Sequence, residues 1–123
     1  MRNQMGAAFL LFLLTASSAQ QAAKPVFVAG GYGTAKEFND FSASEKHAYA
    51  VGLINGLAVS GLLGADEEKL QILHSCIHPM ESTQVAAILD KYIKDHPEEW
   101  HLPLAVQSYS ALRGACPDLK RLH

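Results

Sequence analysis

Two histidines and a cysteine form an H-x-C-x-H motif at His74, Cys76 and His78, a spacing that invites metal chemistry. Histidines four residues apart on a helix lie on consecutive turns and can share a zinc ion. Two features oppose a metal site here: Pro79 is expected to end the helix near His78, and a disulfide at Cys76 would remove the thiolate ligand. We therefore predict helix-end histidines favoured by the helix dipole, with no metal and no cofactor.

A second group of reactive side chains lies in the connector HPEEWHLP, which starts at His96. Glu98 and Glu99 beside His101 imitate an acid–base pair, although adjacent loop carboxylates are more typical of a solvated surface. The sequence has no G-x-S-x-G, H-E-x-x-H or C-x-x-C pattern, so we predict a protein that is not an enzyme. Alternatively, the connector binds a partner, with Trp100 as the aromatic anchor. The five residues that would contact the partner are His96, Glu98, Glu99, Trp100 and His101. The alternative is that Trp100 packs under the connector.

The first 19 residues predict a secretory signal peptide. Arg2 supplies a positive start, 7–16 form an apolar core, and small residues precede the expected cleavage after Ala19. The apolar run is too short for a membrane span, which needs about 20 residues. We therefore expect an exported, periplasmic protein.

The two cysteines, Cys76 and Cys116, are expected to pair, because exported domains mature in oxidising compartments. The closed loop stabilises the fold by roughly 3–4 kcal/mol in the chain-entropy model. Two buried free thiols are the alternative.

Charge and composition argue against a disordered chain and against a nucleic-acid-binding protein. The full chain has a formal net charge of −2, 49% hydrophobic residues and 18% charged residues. This composition is too apolar for wholesale disorder. The scattered cations give no basic patch, so we expect no nucleic-acid partner.

Apolar periodicity predicts an all-α domain of about four helices, a small bundle braced by one disulfide. We predict a leader or linker over 20–41 and a helical domain over 42–123, with helices at 45–63, 66–76, 83–95 and 103–115. Ser42 followed by Glu45 predicts a capping box at the start of the first helix, and Gly64 is expected to end that helix. In the third helix, Asp90 is expected to point outward. In the fourth, Val106, Tyr109, Leu112 and Cys116 are expected to share the inner face.

The first predicted helix is unusual because 48–65 contain no charged residue. Ala48, Gly52, Gly56 and Ser60 recur every four residues, a stripe of small side chains that allows close approach of another backbone. The stripe could serve a contact inside the domain or a homodimer. We predict a buried central helix, with a transmembrane span as the alternative.

The segment 49–117 resembles the Rap/Tai-type immunity proteins of type VI secretion. The matching features occur in order along the chain: Tyr49-x-x-Gly52-x-x-x-Gly56, Cys76-Ile77-His78-Pro79-Met80, Gln84-Val85, Asp90-Lys91-Tyr92-Ile93, His96-Pro97-Glu98, His101-Leu102-Pro103, Ala111-Leu112 and Ala115-Cys116-Pro117. The resemblance implies a small periplasmic helical protein that binds a peptidoglycan-cleaving effector, such as a cell-wall amidase. It also implies stoichiometric occlusion of the active site without a cofactor.

Two other functions fit parts of the sequence. A periplasmic acid-stress chaperone of the HdeA-like type fits the small size, the single disulfide and the 12 carboxylates that lose charge in acid. An enzyme or metal carrier would use His74, His78, His96 and His101.

Overall fold

The computed structural model describes residues 33–122, and within them the chain is all-α. The small helical bundle braced by one disulfide is therefore confirmed. The predicted signal peptide, and the first part of the predicted leader, lie outside the described residues. The elements are α1 (Ala35–Asn39), α2 (Ala43–Ser60), α3 (Glu67–Ile77), α4 (Ser82–Asp95) and α5 (Leu104–Ala115), with short 3-10 segments at Gly61–Leu63, Pro97–Glu99 and Pro117–Arg121.

Helix α1 lies inside the segment that the sequence indicated as a leader or linker. A capping box starts it: the Glu37 N–H donates to the Thr34 hydroxyl oxygen at 3.3 Å, and the Thr34 N–H donates to the Glu37 carboxylate at 2.6 Å. Ala35 and Phe38 are buried in the core. Residues 35–39 therefore pack with the helical domain.

Helix α2 begins at the capping box that the sequence predicted. The Ser42 N–H donates to the Glu45 carboxylate at 2.7 Å, and the Glu45 N–H donates to the Ser42 hydroxyl oxygen at 3.3 Å. The hydrogen bonds from the Ser42 backbone and hydroxyl lower the pKa of Glu45, because they favour its charged form. The start of α2 is thus fixed by two residues of its own sequence.

The prediction that this helix is buried and central is wrong. Ala50 is the one buried residue of α2, while Tyr49, Leu53 and Leu57 are half-buried against the core. The opposite side faces outward. The sequence signal misled because a charge-free helix is usually enclosed on all sides. No helix among residues 33–122 is both long enough and apolar enough to cross a membrane.

Gly64 ends this part of the chain, as predicted. It adopts the left-handed conformation, with φ of 86°, and its N–H donates to the Gly61 carbonyl oxygen at 3.2 Å. A residue with a Cβ is strained there, which is why glycine is common after a helix. The chain then turns into α3, where the Lys69 N–H donates to the side chain of the N-cap residue Asp66 at 2.9 Å.

The core lies between α1, α4 and α5, with contributions from α2 and α3. Its largest fully buried side chains are Phe38, Leu89, Ile93, Leu104, Leu112, Val85, Cys116 and Ser108.

The inner face of α5 differs from the prediction. Val106 and Tyr109 are exposed, whereas Gln107 and Ser108 are buried. Because the Ser108 hydroxyl donates to the Leu104 carbonyl oxygen at 2.7 Å, its burial leaves no unpaired hydrogen. Leu112 and Cys116 are buried as predicted, so the predicted inner face is right for two of its four residues.

The predicted pairing of Cys76 with Cys116 is confirmed, with the two Cα atoms 5.9 Å apart. The bond joins the last turn of α3 to the C-cap of α5. Helix α3 is thereby attached covalently to the helix that forms one wall of the core.

Candidate functional site

The connector after α4 is held on both sides by named contacts. The Trp100 indole N–H donates to the Ile93 carbonyl oxygen at 2.7 Å, and the half-buried ring packs against the core. The Trp100 carbonyl oxygen accepts from the Lys36 N–H at 3.0 Å, and the Leu102 carbonyl oxygen accepts from the Ala35 N–H at 3.2 Å. Trp100 therefore joins the end of α4 to the start of α1.

His96 is also engaged within the fold. Its ring stacks on Tyr92 with a centroid separation of 4.1 Å, and its Nδ1 lies 2.8 Å from the Tyr92 carbonyl oxygen. The Tyr92 hydroxyl donates to the Glu99 carboxylate at 3.5 Å. Three of the five residues singled out in the connector thus make internal contacts.

Glu98 and His101 are exposed, so they are the connector side chains freest to meet a partner. The connector as a partner-binding loop stays a prediction. Its geometry means that Trp100 would contact a partner only through the part of the ring that is not packed on the core.

Two polar contacts hold the first half of α2 against α4. The Lys46 ammonium donates to the Asp90 carboxylate at 2.6 Å, and His47 Nε2 lies 2.6 Å from the Ser82 hydroxyl oxygen. A serine beside a histidine nitrogen is one part of a nucleophile system, which also needs a group that orients the histidine. Among the described residues, no carboxylate is hydrogen-bonded to His47. We interpret this pair as a tie between helices.

Asp90 is half-buried in this contact between α2 and α4, which we call the Asp90 seam, and it does not point outward as predicted. Burial raises its pKa, but hydrogen bonds and charge from Lys46 and Lys94 outweigh that effect, so the pKa lies below its usual value. The charged form of Asp90 is therefore favoured by folding.

A third contact joins α2 to α5, since the Tyr49 hydroxyl lies 3.0 Å from the Ser108 hydroxyl. Burial raises the pKa of Tyr49, and the hydrogen bond with Ser108 offsets part of the shift. The first half of α2 is thus fixed by polar contacts to two helices.

The end of α2 and the 3-10 segment that follows it present an apolar surface that the sequence did not predict. Leu62 and Leu63 are 88% and 84% exposed, and Val59 is 52% exposed. Isolated exposed leucines are common, but these three lie within five residues of a charge-free segment. The charge-free run was the signal that could have located this surface.

An open groove of about 340 Å³ runs beside these residues, between α2 and α3. The added bulk of a Cβ at Gly61 would lie 3.3 Å from Leu70, so the 3-10 segment packs against the groove wall. Most of the residues that line the groove are apolar. Its lining residues are Ile54, Leu57, Ala58, Glu67, Leu70, Gln71, Leu73, His74, Ser75 and Ile77. We call Val59, Leu62, Leu63 and this groove the α2–α3 surface.

The small-residue stripe of α2 is open to solvent. A Cβ built at Gly52 or Gly56 meets no atom within 4 Å. The predicted contact inside the domain is therefore absent from the described residues. The homodimer contact stays a prediction.

Among residues 33–122, no group of three or more His, Cys, Asp or Glu side chains is arranged to hold a metal ion. No family model, curated protein or solved structure matches the chain.

Proposed function

We propose that the protein is an exported helical binding protein whose partner is a peptidoglycan-cleaving effector, as the resemblance to Rap/Tai-type immunity proteins implies. The observation that supports binding is the α2–α3 surface, where exposed leucines adjoin an apolar groove. Fully burying a leucine side chain stabilises a complex by roughly 1.5–3 kcal/mol. Leu62 and Leu63 are therefore the side chains with the most to gain from a partner.

The scaffold favours binding without a large ordering cost. The disulfide holds one wall of the groove through α3, and the Lys46–Asp90 and His47–Ser82 contacts hold α2. A preformed surface loses less conformational entropy on association than a flexible one. Such a surface suits stoichiometric occlusion of a partner's active site, a mechanism that needs no cofactor.

Charge adds a preference for the partner. Asp66, Glu67 and Glu68 lie at the start of α3, and Glu67 lines the groove. Opposite charge across an interface speeds association and discourages wrong partners. We expect the matching surface of the effector to carry apolar side chains bordered by Lys or Arg.

Protection of cells from a periplasm-directed amidase effector tests this function. We expect the wild-type protein to prevent lysis and the double variant Leu62→Glu/Leu63→Glu to lose protection. Val106→Glu is the matched control, because Val106 is 52% exposed on α5 and lies outside the groove lining. It should protect like wild type.

Two results would count against the proposal. If the wild-type protein protects against no effector in a panel of type VI amidases, the proposal that its partner is such an effector is wrong. Full protection by the double glutamate variant would remove the α2–α3 surface. In that case a loss of protection in Glu98→Lys/His101→Glu would assign the interface to the connector.

The acid-stress chaperone is a second candidate, favoured by the Asp90 seam. Protonation of Asp90 in acid would weaken the tie between α2 and α4 and loosen α2, which leads directly into the 3-10 segment that carries the exposed leucines. Suppression of client aggregation near pH 3, with none at pH 7, would support this function. Equal aggregation with and without the protein would dismiss it.

A further inference from the structure

We propose that His74 and His78 chelate a divalent transition-metal ion, such as Zn²⁺ or Ni²⁺, at the C-terminal end of α3. The two histidines are exposed, and their ring centroids are 5.3 Å apart with the ring planes inclined by 50°. The two histidines flank Cys76 of the disulfide, and His74 also lines the groove of the α2–α3 surface. The metal site does not depend on the proposed partner.

The helix remains regular through both ligands. His78 has φ of −53° and ψ of −40°, which are α-helical angles, and its N–H donates to the His74 carbonyl oxygen at 2.8 Å. The sequence-based argument against a metal assumed that Pro79 disrupts the helix near His78. α3 does end there, at Ile77, but His78 as its C-cap keeps α-helical angles, so the two imidazoles stand on consecutive turns.

The observed ring separation fits a chelate. A zinc ion lies about 2.0–2.1 Å from an imidazole nitrogen, which places it about 3.2 Å from the ring centroid. With a tetrahedral angle at the metal, the two centroids would lie about 5.2 Å apart. The measured separation is 5.3 Å. Rotation about each Cβ–Cγ bond turns the nitrogens toward the ion and hardly moves the centroids.

The surroundings favour a cation and leave the ligands available. The end of α3 carries the negative pole of an 11-residue helix, which attracts positive charge. Among residues 33–122, no side chain or backbone group is hydrogen-bonded to either imidazole. The nearby Cys76 is held in the disulfide and cannot compete as a thiolate.

Two protein ligands make an exchangeable site, because a structural zinc site takes four. Water would fill the remaining positions. Imidazole nitrogen suits Zn²⁺, Cu²⁺ and Ni²⁺ and does not suit Mg²⁺ or Ca²⁺. The ion should therefore be selected by ligand type, with no effect of Mg²⁺ at equal concentration.

Calorimetric titration with ZnCl₂ and NiCl₂ tests the site, using the exported protein purified without a tag and with its disulfide intact. We expect saturable binding of one ion per chain. His74→Gln and His78→Gln should each weaken it by at least about tenfold, since loss of even an outer-shell partner of a metal ligand costs roughly 10- to 100-fold. His101→Gln is the matched control and should bind like wild type.

A second measurement excludes loss of folding as the cause. Both ligands are exposed, so the variants should melt at the wild-type temperature without metal. Zn²⁺ should raise the melting temperature of wild type and of His101→Gln, and not that of His74→Gln/His78→Gln. Absence of saturable binding to wild type would overturn the proposal. Binding retained by His74→Gln/His78→Gln, or lost in His101→Gln, would overturn it as well.

Discussion

Removal of the disulfide should destabilise the protein more than any single surface change. Cys76→Ala/Cys116→Ala opens a loop closed across a sequence separation of 40 residues. The chain-entropy model gives about 4 kcal/mol for a loop of this length. Since small domains are stable by roughly 5–15 kcal/mol in total, the variant should remain folded only marginally.

The expected drop in melting temperature is large enough to measure without ambiguity. For a domain of this size, 1 kcal/mol corresponds to about 4–8 °C, so the drop should be roughly 15–30 °C. Thermal unfolding followed by circular dichroism, without reductant, would measure it. A reductant should lower the melting temperature of wild type toward that of the double variant.

The loss should also be local. Apart from the disulfide, α3 is held by its packing against α2 and against the C-terminal 3-10 segment Pro117–Arg121. Hydrogen exchange should therefore accelerate most in α3 when the disulfide is removed. Ser75→Ala, an exposed neighbour of Cys76, is the control and should change neither quantity.

The reasoning would be refuted by a drop in melting temperature below about 5 °C, which corresponds to only about 1 kcal/mol. Such a result would mean that non-covalent packing alone fixes α3. An equal effect of reductant on wild type and on the double variant would also refute it, because the variant has no disulfide to reduce.

Further changes test the seam, the connector and two glycines. The folded-state pKa of Asp90 is lowered, so the stabilisation by its charged form is present above the unfolded-state pKa and is lost as the pH falls through the lower folded-state pKa. Asp90→Asn should therefore lower the free energy of unfolding by about 1 kcal/mol at pH 7. In urea unfolding the cost should be much smaller at pH 2, and an equal cost at both pH values would contradict it. Trp100→Phe removes the hydrogen bond to α4 and should lower the free energy of unfolding by about 1–2 kcal/mol, measured by thermal unfolding. A cost near zero would mean that the indole hydrogen bond does not stabilise the connector. Gly56→Ala should stabilise the protein by about 0.5–1 kcal/mol, because it lies in an exposed helix with open space, and Gly64→Ala should destabilise it by about 1 kcal/mol through its positive φ. The same denaturation assay compares the two glycine variants, and a change of the same sign in both would contradict the argument.

The helices could be predicted from the sequence where a local signal fixed them. Ser42 with Glu45 marked the start of α2, Gly64 marked the end of the 3-10 segment that follows α2, and Pro117 follows the end of α5. The cysteine pairing followed from the expected redox compartment and not from geometry. These features depend on residues close together in the sequence or on the predicted compartment, so one sequence is enough to predict them.

Tertiary placement could not be predicted in the same way. Helix α1 was missed because five residues give too little periodicity, although Thr34 and Glu37 carried a capping signal. The exposed face of α2 was missed because hydrophobicity predicts that a helix face is covered, but it does not identify the element or partner that covers it. Asp90 was assigned to the surface because its partner Lys46 is 44 residues away in the chain.

The candidate site divides along the same line. The connector residues were found from their types, but the internal contacts of His96, Glu99 and Trp100 appear only when α1 and α4 are placed together. The α2–α3 surface needs two helices side by side. The charge-free run marks its α2 side, but the groove appears only when α3 is placed beside α2.

Titration of purified amidase effector with this protein tests the central claim most directly. The release of soluble fragments from isolated peptidoglycan would be measured as the molar ratio of the two proteins is raised. Occlusion of the active site predicts complete inhibition at a ratio of one to one, with Leu62→Glu/Leu63→Glu inhibiting far less than Val106→Glu. Undiminished cleavage at a large molar excess of the wild-type protein, for every effector of a type VI amidase panel, would contradict the account.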